Sequence, residues 1–285
     1  MNPAYAIGFL SSLLWGSADF LGGIGAKRAP APTIGLFSGL AGLAAILAAI
    51  PFFSGTPTPQ DLAWGAAAGV CGAASVSLMY RALALGPMSL ASPVFSLIGL
   101  CVPVLFGLAS GERPSPIAWI GVALAMLAIP LLAMTGEGEG REGRHSRAHV
   151  RETLTVSVAA GLVVGWFLVC LSRVGSTAGL WPLAVARVAG IAVLAAWLAT
   201  QRQALVPAAP ARLPALASGV VDSSANVAFL IAVHQGPLAL ISALVSLAPA
   251  ATALMARFTL GERWTRWQAL GLAVALAAGV CISLG

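Results

Sequence analysis

Apolar residues run along this chain in long blocks, separated by short breaks that collect glycine, proline and most of the charged residues. A helix needs about 20 such residues to cross a hydrocarbon core of roughly 30 Å. Ten blocks qualify, at approximately 4–24, 33–53, 62–84, 88–109, 117–135, 153–172, 180–199, 213–233, 237–257 and 267–284. Turn chemistry marks the breaks, as in Arg28-Ala29-Pro30, Ser54-Gly55-Thr56-Pro57, Gly86-Pro87 and Gly236-Pro237. One break is longer. Residues 136–152 open with Gly136-Glu137-Gly138-Glu139-Gly140 and go on to Arg141, Arg144, Arg147 and Arg151, a composition that suits a solvated linker and no membrane core. The expectation is an all-α integral membrane protein of ten transmembrane helices: five in 1–135, a charged linker at 136–152, and five in 153–285.

The linker divides the chain almost equally, and a shift of 150 residues superimposes parts of the two halves. Gly86-Pro87 falls on Gly236-Pro237, Gly111-Glu112-Arg113 on Gly261-Glu262-Arg263, Ser96-Leu97 on Ser246-Leu247 and Gly121 on Gly271. The matches concentrate in the last two spans of each half; earlier ones are sparse, with Gly25/Gly175 and Pro32/Pro182 standing out. Five spans per half is an odd number, so the second half enters the membrane from the opposite side and the repeat is inverted.

Composition strengthens the membrane reading. Charged residues make up 8% of the chain and hydrophobic ones 59%, against roughly 25% charged in a soluble domain. The net charge of +6 points to membrane loops and away from nucleic acid, because the basic residues sit singly or in small clusters between spans. Lys27, Arg28, Arg81, Arg141, Arg144, Arg147, Arg151, Arg202, Arg212, Arg257, Arg263 and Arg266 fall on one side; only Arg113 and Arg173 fall on the other. The positive-inside rule makes the richer side cytoplasmic and directs both termini outward. No basic segment with a short cleavable apolar core opens the chain, so insertion is expected to rest on the spans. Cys71, Cys101, Cys170 and Cys281 lie within apolar runs without ligand spacing and read as small hydrophobes.

Ionisable groups inside spans are costly and draw attention. Asp19, Arg187 and Asp222 are the three. At 1.5 Å per residue, Arg187 and Asp222 differ in depth by only about 6 Å, so they are expected to meet if their helices are neighbours. Two readings stand: a structural ion pair, or a polar site for a substrate or proton, the latter favoured by Asn226 one turn from Asp222. Trp15 and Tyr80 are further candidates for lining such a cavity, expected between spans 1, 3, 4, 6, 8 and 9 with spans 5 and 10 outside. Pro93 and Pro103 in the fourth span and Pro249 in the ninth predict kinks. Glu112 and Glu262 are expected to bond helix-end amides, and His234 to sit at the interface. No zincin, nucleophile-elbow or phosphate-loop motif occurs. No catalytic residue, metal site or cofactor is therefore expected.

With these residues in hand, the chain resembles the drug/metabolite transporter superfamily, in particular its EamA-type members with two tandem domains. Leu14-Trp15-Gly16-Ser17 is similar to that family's first-span Trp-Gly-Ser/Thr pattern, and Ala186-Arg187 to its seventh-span arginine. Asp19 stands where the family more often has a neutral polar residue, and the shift puts Phe37, with no charge, opposite Arg187. The resemblance implies a secondary transporter in the cytoplasmic (inner) membrane that moves a small metabolite, amino acid or drug-like solute by alternating access. A proton or another ion is the candidate coupling partner. The competing class is an integral membrane lipid-handling protein or enzyme, for which the sequence offers no catalytic constellation.

Overall fold

The computed structural model describes residues 2–85, 88–134, 147–260 and 265–285; within these, the side chains of 80, 83, 84, 88–90 and 147–150 are left aside. Among the described residues the chain is helical without strands. The helices are α1 (Pro3–Ala26), α2 (Ala31–Ala49, continued by a 3₁₀ turn Ile50–Phe52), α3 (Pro59–Leu85), α4 (Met88–Ala109), α5 (Pro116–Ala133), α6 (Arg147–Ser172), α7 (Trp181–Thr200), α8 (Ala209–Val233), α9 (Leu238–Val245), α10 (Ala248–Leu260) and α11 (Arg266–Leu284). They provide ten stretches long and apolar enough to cross a membrane, α9 and α10 together forming the ninth.

Local sequence fixes where the helices begin. Proline occupies the first turn of α1, α2, α5, α7 and α8, where its missing N–H costs nothing. Asn2 and Ser115 accept from the free amides of Ala4 and Ala118, and Thr265 forms a reciprocal capping box with Gln268. Proline also explains the broken ninth span. Pro249 has no N–H to give the Val245 carbonyl, and the helix stops at Val245 and restarts at Ala248. The kink expected there is thus a full interruption, whereas α4 runs unbroken through Pro93 and Pro103. The linker is shorter than 136–152, because α6 already starts at Arg147. Glu152, inside that extension, lies 3.7 Å from Arg81 on α3, both side chains exposed; a pair so open contributes little.

Each helix finds its main partners in the other half of the chain. α1 lies along α8 and touches α9 and α10; correspondingly α3 lies along α6, and α6 packs on α4. α2 sits against α8 and α7, and α7 against α3. α5 and α11 pair with each other at the flank, away from the polar residues. Lipid offers no hydrophobic drive for helices to associate, so contact depends on small residues that let backbones close up. Gly16 is the clearest case. A Cβ there would strike the Ala248 carbonyl and come within 2.6 Å of the Ala251 Cβ. Thr252 seals the contact, its hydroxyl donating to the Gly16 carbonyl at 2.9 Å.

The two ends of the bundle differ. Asn2 reaches the Gln235 carbonyl at 3.5 Å and Gly285 lies beside Ser115, so both chain ends share one end of the bundle, here the termini end; the other is the linker end. All eight residues of α9, at the termini end, are buried: Leu238, Ile241 and Val245 pack with Leu168, Val169, Leu171, Phe229 and Leu230, while Ala239, Leu240, Ala243 and Leu244 pack with Leu100, Val104, Val122 and Ile282. At the linker end α10 buries only Ala248, Ala250 and Ala251, all in its first turn. Described residues 92–98 of α4 are likewise only partly buried.

Replacing Gly16 by valine is expected to lower the thermal midpoint of the purified protein in detergent, with an overpacking cost of about 1–3 kcal/mol. Gly23→Val is the control, since a Cβ at Gly23 meets nothing within 4 Å. Equal midpoints for the two variants would contradict the close approach of α1 and α10.

Candidate functional site

Halfway along α8, the Asp222 carboxylate gathers three helices. Its Oδ2 forms an ion pair with Arg187 of α7. Its Oδ1 accepts from the Trp15 indole N–H of α1 at 2.9 Å. Asn226, one turn along α8, donates to the Asp222 carbonyl at 2.7 Å and lies 3.3 Å from Oδ2. Trp15 in turn packs on Phe229 (centroids 5.7 Å apart) and edge-on to Phe167 of α6 (6.4 Å). The matched depths and opposite charges of Arg187 and Asp222 therefore resolve into contact. Room for the arginine comes from Gly42 of α2, where a Cβ would meet Arg187 Nε at 3.3 Å and collide with the Ser223 hydroxyl.

Of the residues singled out by sequence, Trp15, Arg187, Asp222 and Asn226 form this connected group. Asp19 stands one turn from Trp15 on α1, within electrostatic reach of Asp222 but bonded to nothing among the described residues. Tyr80 lies on α3 with its side chain outside the described set. The first Gly-Glu-Arg is structural. Gly111 takes a positive φ of 94° to end α4. Glu112 accepts from the Leu238 and Ala239 amides at 2.7 and 3.0 Å. It caps α9, a helix of the other half, where two unpaired N–H groups and the helix dipole favour a carboxylate. Arg113 is exposed. Gly261, Glu262 and Arg263 lie outside the described residues.

Sequence reasoning missed Asp61. Its Oδ2 accepts from the Thr58 amide at 2.8 Å and hydroxyl at 2.7 Å, while Oδ1 accepts from the Gly175 amide at 2.7 Å. The spacing Thr58-Pro59-Gln60-Asp61 is a helix-start signature and could have marked it. Around Asp61, Thr56 donates to the Thr177 carbonyl at 2.9 Å, and His234 lies 2.8 Å from the Val174 carbonyl. The termini end is thus tied by two first-half carboxylates holding second-half amides. Between these ties a shallow pocket of about 150 Å³ follows the seam of α4, α6, α8 and α9 past Glu112 and Arg173. No group of residues suited to a metal ion occurs among those described.

Ten membrane-crossing helices around a mid-span polar cluster define a multi-pass membrane protein. Residues 2–134 are similar to the EamA-like transporter family. A protein of known crystal structure shares the fold along 99% of this chain and 96% of its own, at a TM-score of 0.79 and 20% identity. No curated protein matches.

Breaking the ion pair from one side strands a charge in a low-dielectric setting, which costs about 3–5 kcal/mol when burial is complete. Arg187 and Asp222 are 20% and 28% exposed, so Arg187→Met or Asp222→Leu is expected to fall at or below the lower bound. The double variant, with neither charge, should recover most of that loss. Thermal midpoints in detergent measure it; a double variant as unstable as the sum of the singles would mean that the two groups are not energetically coupled.

Proposed function

We propose that this protein is a secondary transporter that carries a small solute across the cytoplasmic membrane by alternating access, its second half being a second EamA-like repeat inverted relative to the first. The observation that carries the reading is the asymmetry of the bundle. A polar cluster sits at mid-span, with tightly packed core on its termini side and only partly buried stretches of α4 and α10 on its linker side. A solute entering from the linker end would reach Trp15, Asp19, Arg187, Asp222 and Asn226 and stop at the closed seam. The exchange of packing partners between the halves supports the inverted repeat. In such a repeat, the opposite state closes the linker end and opens the termini end.

Glu112 is the natural latch. Its two bonds to α9 join the halves at the closed end, and α9 is separated from α10 by the break at Pro249. A short helix so interrupted can tilt without moving the rest of its span. Loop charge sets the direction: the linker end carries most of the arginines and faces the cytoplasm, with both termini outside.

Counterflow in proteoliposomes over a panel of small metabolites tests the transport reading; no uptake above protein-free vesicles for any solute would sink it. Access is tested separately after changing Cys71, Cys101, Cys170 and Cys281 to alanine. A membrane-impermeant thiol reagent should label Gly23→Cys from the linker side and leave Ile241→Cys, in the packed core, unlabelled. Adding Glu112→Gln should raise Ile241→Cys labelling several-fold from the termini side, and an unchanged level would remove Glu112 from the gate. Orientation is read from C-terminal reporter fusions: a fusion active outside the cytoplasm is expected, and one that folds inside would reverse the assignment.

A further inference from the structure

Asp222 holds three donors, so its charge and that of Arg187 are already answered. Asp19 is different. No hydrogen bond or ion pair reaches it among the described residues, and it is exposed, about two turns inside the linker end of α1. Its direction follows from α1 itself. At about 100° per residue, the α8-facing side of α1 is fixed by Ser11 and Ala18: Ser11 donates to the Ala225 carbonyl, and the Ala18 carbonyl accepts from Ser218. The α10-facing side is fixed by Gly16. Asp19 falls between these two sides, on the face turned inward, while Leu10 and Leu13 on the far side are exposed to lipid. One turn toward the linker end, on the same face as Asp19, a Cβ at Gly23 would find nothing within 4 Å. Asp19 therefore looks into open space that leads to the linker end.

Among the described residues, the charges around that space sum to one negative: Asp19 and Asp222 against Arg187. Other cations do not answer it. Lys27 and Arg28 lie about two turns beyond Asp19 and are exposed, and Arg28 is turned to the Pro210 carbonyl at 3.2 Å. Arg257 on α10 has an interaction of its own. A lone carboxylate at this depth is expensive unless something positive joins it. A carboxylate-bearing solute would meet repulsion from Asp19 and find Arg187, the only mid-span arginine among the described residues, occupied.

Resting on the transport reading above, we infer that the recess selects solutes carrying a positive charge, with the Asp19 carboxylate as the contact for a protonated or quaternary amine. Trp15, one turn away, is placed to offer aromatic surface to the body of such a solute, which favours a cation further. The selecting group is one the second half does not repeat: the residue 150 positions on is Val169.

Three soluble probes of one shape separate the charge preference from transport itself: benzylammonium, benzyl alcohol and benzoate, with binding to purified protein followed by quenching of tryptophan fluorescence. Wild type should bind benzylammonium on the order of tenfold more tightly than benzoate, with benzyl alcohol between. Asp19→Asn should erase the benzylammonium advantage, and Asp19→Glu should keep it. The thermal midpoint of Asp19→Asn is expected near that of wild type, because no bond is lost. A wild type without preference for benzylammonium, or an Asp19→Asn that keeps it, overturns the inference. Solute uptake in the counterflow panel together with either result would leave transport standing without cation selection. The expected ranking without uptake of any solute would keep the cation site and discard transport.

Discussion

A single carboxylate, that of Asp222, is the point on which the middle of this bundle depends. In lipid a charge must be met by another charge or by donors, and Asp222 is met from α7 and α1 as well as from its own helix. The requirement fixes three helices laterally and in depth. It also explains smaller features nearby. Gly42 leaves space for the arginine, and Phe229 and Phe167 hold the indole whose N–H points at the carboxylate. Had Asp222 been left with free oxygens, it would be the obvious place for a ligand. Because it is saturated, the proposed ligand contact falls to Asp19, the neighbouring carboxylate without a bond among the described residues.

The ends of the bundle follow a second rule, that backbone amides at helix starts and turns must find acceptors. At the termini end Glu112 and Asp61 supply them, reaching from the first half to Leu238, Ala239 and Gly175 of the second. These bonds use backbone donors and so tie segments together without requiring particular side chains across the seam. At the linker end Thr33 donates to the Ala204 carbonyl, Arg28 to that of Pro210 and Thr265 to that of Met134.

The spans could be read from sequence because the bilayer imposes length and apolarity together. The Arg187–Asp222 contact could be read because opposite charges at equal depth have few other ways to be satisfied. Pro249 announced a disturbance, but its size depended on Val245 losing a donor where the chain could also turn at Ser246. Glu112 was expected at a helix end, yet its helix belongs to the other half, 126 residues away, and backbone donors leave no mark in sequence. The isolation of Asp19 was invisible for a related reason: only the packing of α8 and α10 on α1 decides which face of α1 looks inward. The expected linker overlaps the start of α6 because an arginine such as Arg151 looks solvated whether or not it is helical, and it is both.

The interlocking of the halves bears on how the chain is made. α1 leaves the ribosome well before its seats on α8, α9 and α10 are synthesised. Until then its notch at Gly16 has no neighbour, Trp15 has no carboxylate to bind, and Asp19 faces whatever the young membrane offers. Neither half can bury its own small-residue faces alone, so domain-by-domain folding during synthesis, the usual order for large chains, is closed to this one. Its early spans must wait in the bilayer as unassembled helices, and final packing becomes an event that follows the completion of the polypeptide.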